Sequence, residues 1–400
     1  MHRRDTLLAH AGRSPDDHDG MVNTPVFRTS TVVFPTLDAY ETPKDPYGKS
    51  VRYGRHGTPT TYAFEEAVAK MEGGFQAVAT PNGFSAVVVA LMTFARPGTH
   101  LLMVDSVYGP TRTFCTRQLE KLGVEVEYYD PLIGAGIATL LRDNTCAVFC
   151  ESPGSLTFEV QDIPAIAAAA HARDIPVLAD QTWPTSYFQS PFEIGIDVSI
   201  QAATKYIGGH SDIMMGVVTT TERYWKPVRQ TVADFGYSVS PDDCYLALRG
   251  LRTMGVRLKQ QQVNALRVAE WLETRPEVSR VLFPALPSHP GHALWKRDFR
   301  GAAALFSVVL TPPVDDAALT SFVDALTLFG IGSSWGGFES LITVVHAASI
   351  RTATNWNPEG PAVRLHIGLE DPEDLIADLA QAMTHLPTHR ADTNGAATHV

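Results

Sequence analysis

The chain has 400 residues, 44% hydrophobic and 19% charged, enough to bury a large core and suited to two or three packed units rather than one. A net charge of −11 with no dense Lys/Arg face argues against a nucleic-acid partner, and no apolar run is long enough to span a bilayer. No signal-peptide stretch follows the basic Met1-His2-Arg3-Arg4, and Cys115, Cys146, Cys150 and Cys244 lack metal-ligand spacing, so a cytosolic protein with reduced thiols is expected.

Residues 1–57 are rich in Pro, Gly, Thr and charge and read as an extended arm. From residue 58 the pattern turns α/β. A helix is expected over 61–72, a strand over 76–80, a turn at Pro81-Asn82-Gly83 and a helix over 84–94. Next come a strand at 101–104, a helix at 112–122, an apolar strand at 146–150 ending in Glu151-Ser152-Pro153-Gly154, an alanine-rich helix at 163–172 and a strand at 176–180. Residues 198–200 lead into Lys205, and 216–221 form a β-branched strand. This alternation implies a mostly parallel central sheet with helices on both faces. The character shifts after Arg252, so a cofactor-sized α/β domain over 58–252 and a smaller α+β domain over 253–400 are expected. Within the latter, 256–273 reads as a helix with Val263, Leu266, Ala269 and Leu272 on its apolar stripe. Strands are expected at 305–310 and 364–367, and Asp371-Pro372 starts a last helix before a frayed tail from about 387.

Lys205, in Ile200-Gln201-Ala202-Ala203-Thr204-Lys205-Tyr206-Ile207-Gly208-Gly209, follows an apolar strand and precedes a glycine turn. A lysine shielded from water there becomes a usable amine nucleophile, able to hold an aldehyde cofactor as a Schiff base; it could equally snorkel to solvent. Ligands of α/β sheets collect at the carboxyl ends of strands. Asp180 closes one and could pair with a protonated pyridine nitrogen or cap the next turn. Asn82-Gly83-Phe84-Ser85 offers N–H groups at a helix start, a phosphate site, to which the Thr204 hydroxyl could add. Tyr108 could stack on a ring or be an ordinary loop aromatic. Together these residues account for the aldehyde, ring nitrogen, ring face and phosphate of pyridoxal phosphate (PLP). His289 and His292 have no acidic or thiol partner at ligand spacing and read as structural.

The chain resembles the transsulfuration family of PLP enzymes from about residue 24 to 383. The resemblance is carried by Tyr53-Gly54-Arg55-His56-Gly57-Thr58-Pro59-Thr60, Glu151-Ser152-Pro153-Gly154-Ser155, Asp180-Gln181-Thr182-Trp183 and the lysine segment. Further on it rests on Arg249-Gly250-Leu251-Arg252-Thr253, Trp295-Lys296-Arg297-Asp298-Phe299, Ser334-Trp335-Gly336-Gly337-Phe338-Glu339-Ser340 and Arg364-Leu365-His366-Ile367-Gly368-Leu369-Glu370. It implies the aspartate aminotransferase-like fold, fold type I of the PLP enzymes. Lys205 would carry the cofactor and shuttle protons with Tyr108, which stacks on the ring, and Asp180 would hold the pyridinium. Gly83, Phe84 and Thr204 would bind the phosphate, and Tyr53 and Arg55 would reach the neighbouring subunit's cofactor from the arm, in a homodimer or homotetramer with shared sites. Arg364 would clamp a substrate carboxylate, with Ser334, Trp335 and Tyr53 lining the same space.

Within the family the pattern is nearest the bacterial cystathionine β-lyases, which implies cleavage of a small sulfur amino acid to homocysteine, pyruvate and ammonia. Trp335 agrees with the β-lyases, and Pro110 stands where methionine γ-lyases carry a cysteine. Ser333 follows neither branch, since β-lyases have tyrosine there and γ-lyases glutamate, and Gln181 replaces the commoner asparagine. Cystathionine γ-lyase or γ-synthase chemistry, a broad cysteine-S-conjugate β-lyase and a PLP-binding regulatory protein are the alternatives.

Overall fold

A computed structural model describes residues 2–42 and 50–387. The tail expected from about 387 lies outside these residues beyond its first position, as does part of the arm. Seven strands form the larger sheet: β1 (Gln76–Thr80), β2 (His100–Val104), β3 (Glu125–Tyr129), β4 (Thr145–Glu151), β5 (Val177–Asp180), β6 (Val198–Gln201) and β7 (Gly216–Thr220). Their order is β1-β7-β6-β5-β4-β2-β3, with β7 antiparallel to both neighbours and every other pairing parallel. Helices cover both faces, so the central strands read as unbroken apolar runs. Val148, Phe149 and Cys150 of β4 are fully buried, each large side chain contributing about 1.5–3 kcal/mol of burial.

The smaller sheet has the order β10-β11-β12-β9-β8, built from β8 (Val278–Leu282), β9 (Leu305–Leu310), β10 (Gly330–Ile331), β11 (Leu341–Val345) and β12 (Ala362–His366). It is antiparallel except for β10 beside β11.

Several elements differ from expectation. The helix expected from 256 starts fifteen residues earlier and runs over Pro241–Glu273, so the boundary expected at 252 falls inside one continuous helix. Gly250 looks like a break in sequence, yet it is a close-approach point: a Cβ there would lie 2.2 Å from the Ile207 carbonyl oxygen. The buried stripe runs through Leu251, Met254, Leu258, Ala265, Val268 and Leu272, whereas Val263 is 58% exposed. Arm residues Arg4–His10 are helical, because Leu8 is buried and Arg252 donates to the carbonyls of Leu8 and Ala11 at 2.6 and 2.8 Å. The helix expected over 112–122 begins at Gly109 and loosens into a wide π turn at Cys115–Leu119. His289 is buried with its Nδ1 accepting from Gly291 N–H at 3.0 Å.

Candidate active site

The carboxyl ends of β4, β5 and β6 open onto a cavity of about 330 Å³, within the size range of small-molecule sites. Lys205, Asp180, Tyr108, Gly83, Phe84, Thr204, Ser334, Trp335 and Arg364 all line it. Lys205, Thr204, Asp180, Tyr108, Gly83 and Phe84 converge because the strands of the larger sheet deliver their following loops to one edge, while Ser334, Trp335 and Arg364 reach the same cavity from the smaller sheet. Tyr53 and Arg55 lie outside this pocket. Both are exposed, and Arg55 donates to the Ala233 carbonyl at 3.2 Å.

Lys205 sits in the turn after β6, its N–H bonded to Ala202 O at 3.0 Å. Its Nζ donates to Ser334 Oγ at 2.7 Å and stands 5.2 Å from the centre of the Trp335 ring. Burial above all, and then Arg364, bring its pKa down to about 8 against the opposing pull of Asp180. Asp180 accepts from Thr182 N–H at 2.9 Å, and burial raises its pKa. In register beside it on β4 is Glu151, whose carboxyl is pushed well above the ordinary range by burial and then by Asp180. Glu151 Oε2 accepts the Tyr108 N–H at 2.7 Å and so fixes the loop that carries the Tyr108 ring. Arg364, on β12, donates to Ser333 O at 3.2 Å.

At the other end of the cavity, Asn82 caps the helix Gly83–Phe94, its side chain accepting from Ser85 N–H at 2.8 Å. Such a cap is worth about 1 kcal/mol, and it leaves the N–H groups of Gly83 and Phe84 without an intrahelical partner. Gly83 is required there: a Cβ would lie 2.4 Å from that of Ala202, so only glycine lets the helix start abut the β6 end. The Thr204 hydroxyl is committed to Met215, donating to its carbonyl at 3.2 Å and accepting its N–H at 2.9 Å.

These groups fit pyridoxal phosphate on their own chemistry. A buried carboxyl short of a cation suits a ring nitrogen, a lysine of lowered pKa suits an aldehyde, and a glycine-started helix suits a phosphate. Glu151 has no role assigned from sequence; the signal for one is its place at the end of an apolar strand, level with Asp180.

A strand-end lysine and carboxyl facing a helix N-terminus, in a seven-stranded mostly parallel sheet, define a PLP-dependent enzyme of fold type I. The sequence profile described as "Cys/Met metabolism PLP-dependent enzyme" matches residues 5–384, and the chain belongs to that family. Cystathionine beta-lyase MetC of Escherichia coli (strain K12) is 44% identical over 94% of this chain and 96% of its own. The L-alanine/L-glutamate racemase of Wolbachia pipientis wMel is 39% identical over 96% and 98%. Among solved structures, metB from Corynebacterium glutamicum superposes with a TM-score of 0.88 at 31% identity, covering 96% of this chain and 98% of that one.

Proposed function

We propose that this chain is a carbon–sulfur β-lyase that cleaves L-cystathionine, with water, to homocysteine, pyruvate and ammonia. The observation that carries this reading is the Lys205 amine, lowered to about 8 and bonded to Ser334 in the cofactor-sized cavity that it shares with Asp180 and Arg364. The relative named as a cystathionine beta-lyase supports the substrate.

In this reading Lys205 would hold the cofactor covalently, Asp180 would keep its ring nitrogen protonated, and Tyr108 would lie against its ring. The Gly83 and Phe84 N–H groups would bind its phosphate, with the Thr204 hydroxyl beside them. When bound, the cofactor supplies the electron sink that makes the substrate Cα–H acidic. Arg364 takes the substrate α-carboxylate as a planar, permanently charged fork. Ser334 and Trp335 border the side chain to be cleaved, and Ser334 steers the lysine amine by its hydrogen bond. Lys205 Nζ would take the Cα proton and later deliver a proton to the departing sulfur. One mobile base suffices for this, because β-elimination breaks a single C–H bond whereas γ-elimination must also take a proton from Cβ.

The cofactor residues are assigned to 58–252, and residues from 253 onward supply Arg364, Ser334 and Trp335. Tyr53 and Arg55 are assigned to a neighbouring subunit's pocket in a homodimer or a pair of such dimers. Their place outside the lining of this chain's own cavity and the exposed Met21, Val22, Val33, Leu37 and Tyr40 of the arm support that arrangement. Among the described residues no helix is long and apolar enough to cross a membrane, and we assign the enzyme to the cytoplasm.

Product analysis tests the reaction. Cystathionine should yield pyruvate with homocysteine, whereas 2-oxobutyrate with cysteine would mean γ-cleavage, and alanine racemisation without elimination would transfer the chain to the racemase branch. Mixing inactive Lys205→Ala and Tyr53→Ala proteins tests the shared site: activity should return when subunits exchange, and none should if each pocket is complete within one chain.

A further inference from the structure

His366 is a fully buried imidazole on the strand that carries Arg364, and no step above uses it. Its Nε2 lies 3.1 Å from the Gly336 N–H and 3.3 Å from the Gly337 carbonyl oxygen. Accepting the Gly336 N–H uses the Nε2 lone pair and puts the ring proton on Nδ1, a buried nitrogen without a hydrogen-bond partner among the described residues. The Gly337 carbonyl needs nothing from the ring, since Gln261 Nε2 donates to it at 2.7 Å. The groups around the ring are consistent with a neutral imidazole. Burial brings its pKa down to about 4, with Arg364 acting the same way against Glu339 and the nearby carbonyls of Gly337 and Ala304, and the Tyr206 ring lies 6.1 Å away.

Gly336 is the point at which this loop touches the lysine segment. It has φ of +85°, and a Cβ there would lie 3.0 Å from both Lys205 C and Tyr206 N. The two residues before it are Ser334 and Trp335, which meet the Lys205 amine. Trp335 also rests on Tyr206, ring centres 5.4 Å apart.

The geometry points to His366 as a positioning residue: by accepting the Gly336 N–H it holds Ser334 and Trp335 against Lys205 Nζ. The consequence for catalysis rests on the function proposed above. The hydrogen-bond role does not, and the two can fail separately.

Two neutral amides of different reach make the test. In His366→Gln the side-chain oxygen reaches the Nε2 position and can accept the Gly336 N–H; in His366→Asn it reaches only the Nδ1 position. Both proteins are studied as holoenzymes, with the spectral pH titration of the lysine-bound cofactor as a readout that needs no turnover. The Ser334 bond and the Trp335 face both favour a protonated nitrogen on Lys205. The titration midpoint should therefore fall in His366→Asn and stay near wild type in His366→Gln. With cystathionine, kcat should drop about tenfold to a hundredfold in the Asn variant, as for a small misplacement near the chemistry, and largely recover in the Gln variant. Equal behaviour of the two variants, whether both unchanged or both impaired, would overturn the assignment. A wild-type enzyme inactive on cystathionine, with the spectral difference between variants intact, would overturn the substrate reading and leave the positioning role standing.

Discussion

Asp105 and Asp180 both occupy carboxyl ends of the larger sheet, the one just past β2 and the other closing β5, and they are opposites. Asp105 is fully buried, yet it accepts the N–H groups of Thr352, Ala353 and Thr354 at 2.8–3.3 Å and the hydroxyls of both threonines. It is also paired with Arg112. Burial alone would raise its pKa, but these bonds outweigh it and the carboxyl is held below its ordinary range. Asp180 faces the open pocket and is only partly covered, has Thr182 as its hydrogen-bonding partner, and is raised by loss of water around it. Saturation marks the carboxylate that holds the fold together; a shortfall marks the one waiting for a ligand. Asp105 ties residues 352–354 to the loop leading to Tyr108, and so keeps the pocket wall in place.

The largest effect should come from Asp105→Asn, which strands Arg112 and turns an acceptor into a donor against three N–H groups. Loss of one partner of a buried pair costs about 3–5 kcal/mol, read as a lower denaturant midpoint. Asp180→Asn should leave the stability of the cofactor-free protein unchanged or slightly improved, while cofactor affinity falls about ten- to a hundredfold, the worth of a hydrogen bond to a charged group. If Asp180→Asn destabilised the cofactor-free chain as much as Asp105→Asn, the contrast would collapse.

The pH dependence of stability separates the two carboxylates by sign. The folded pKa of Asp105 is depressed, so its contribution is complete above its unfolded value near 4 and is lost as pH falls through the folded value. Asp180 and Glu151 have raised folded values, so their cost is greatest where both states are ionised and fades as pH falls through those values. In Asp105→Asn the acid-side loss of stability should therefore shrink, by comparison of denaturant midpoints across pH. For Lys205 the proton-transfer step should speed up as pH rises through about 8, where the amine loses its proton. The smallest change belongs to Glu151→Gln, which keeps an acceptor for the Tyr108 N–H and should alter stability by less than about 1 kcal/mol.

Sequence reading found the site more readily than the frame around it. Lys205, Asp180 and the Gly83 turn each have an ordinary structural reading, and they become legible only as a set, because each stands at or just after the carboxyl end of an apolar strand and together they match the parts of one cofactor. The edge strand β3 is Glu-Val-Glu-Tyr-Tyr, too charged to stand out. The helix Glu222–Asp234 carries Pro227 inside it, which reads as a break. The long helix runs straight through Gly250, whose packing against Ile207 is set by a segment more than forty residues away. Asp105 and His366 were invisible as contributors because their partners, Thr352–Thr354 and Gly336, come from other elements.

The most direct test of the account is borohydride reduction of the yellow holoenzyme followed by peptide mass mapping. The account predicts a stable cofactor adduct on the peptide containing Lys205, and no adduct in Lys205→Ala. An adduct on a different lysine in the wild-type protein, or one that persists in Lys205→Ala, would contradict it.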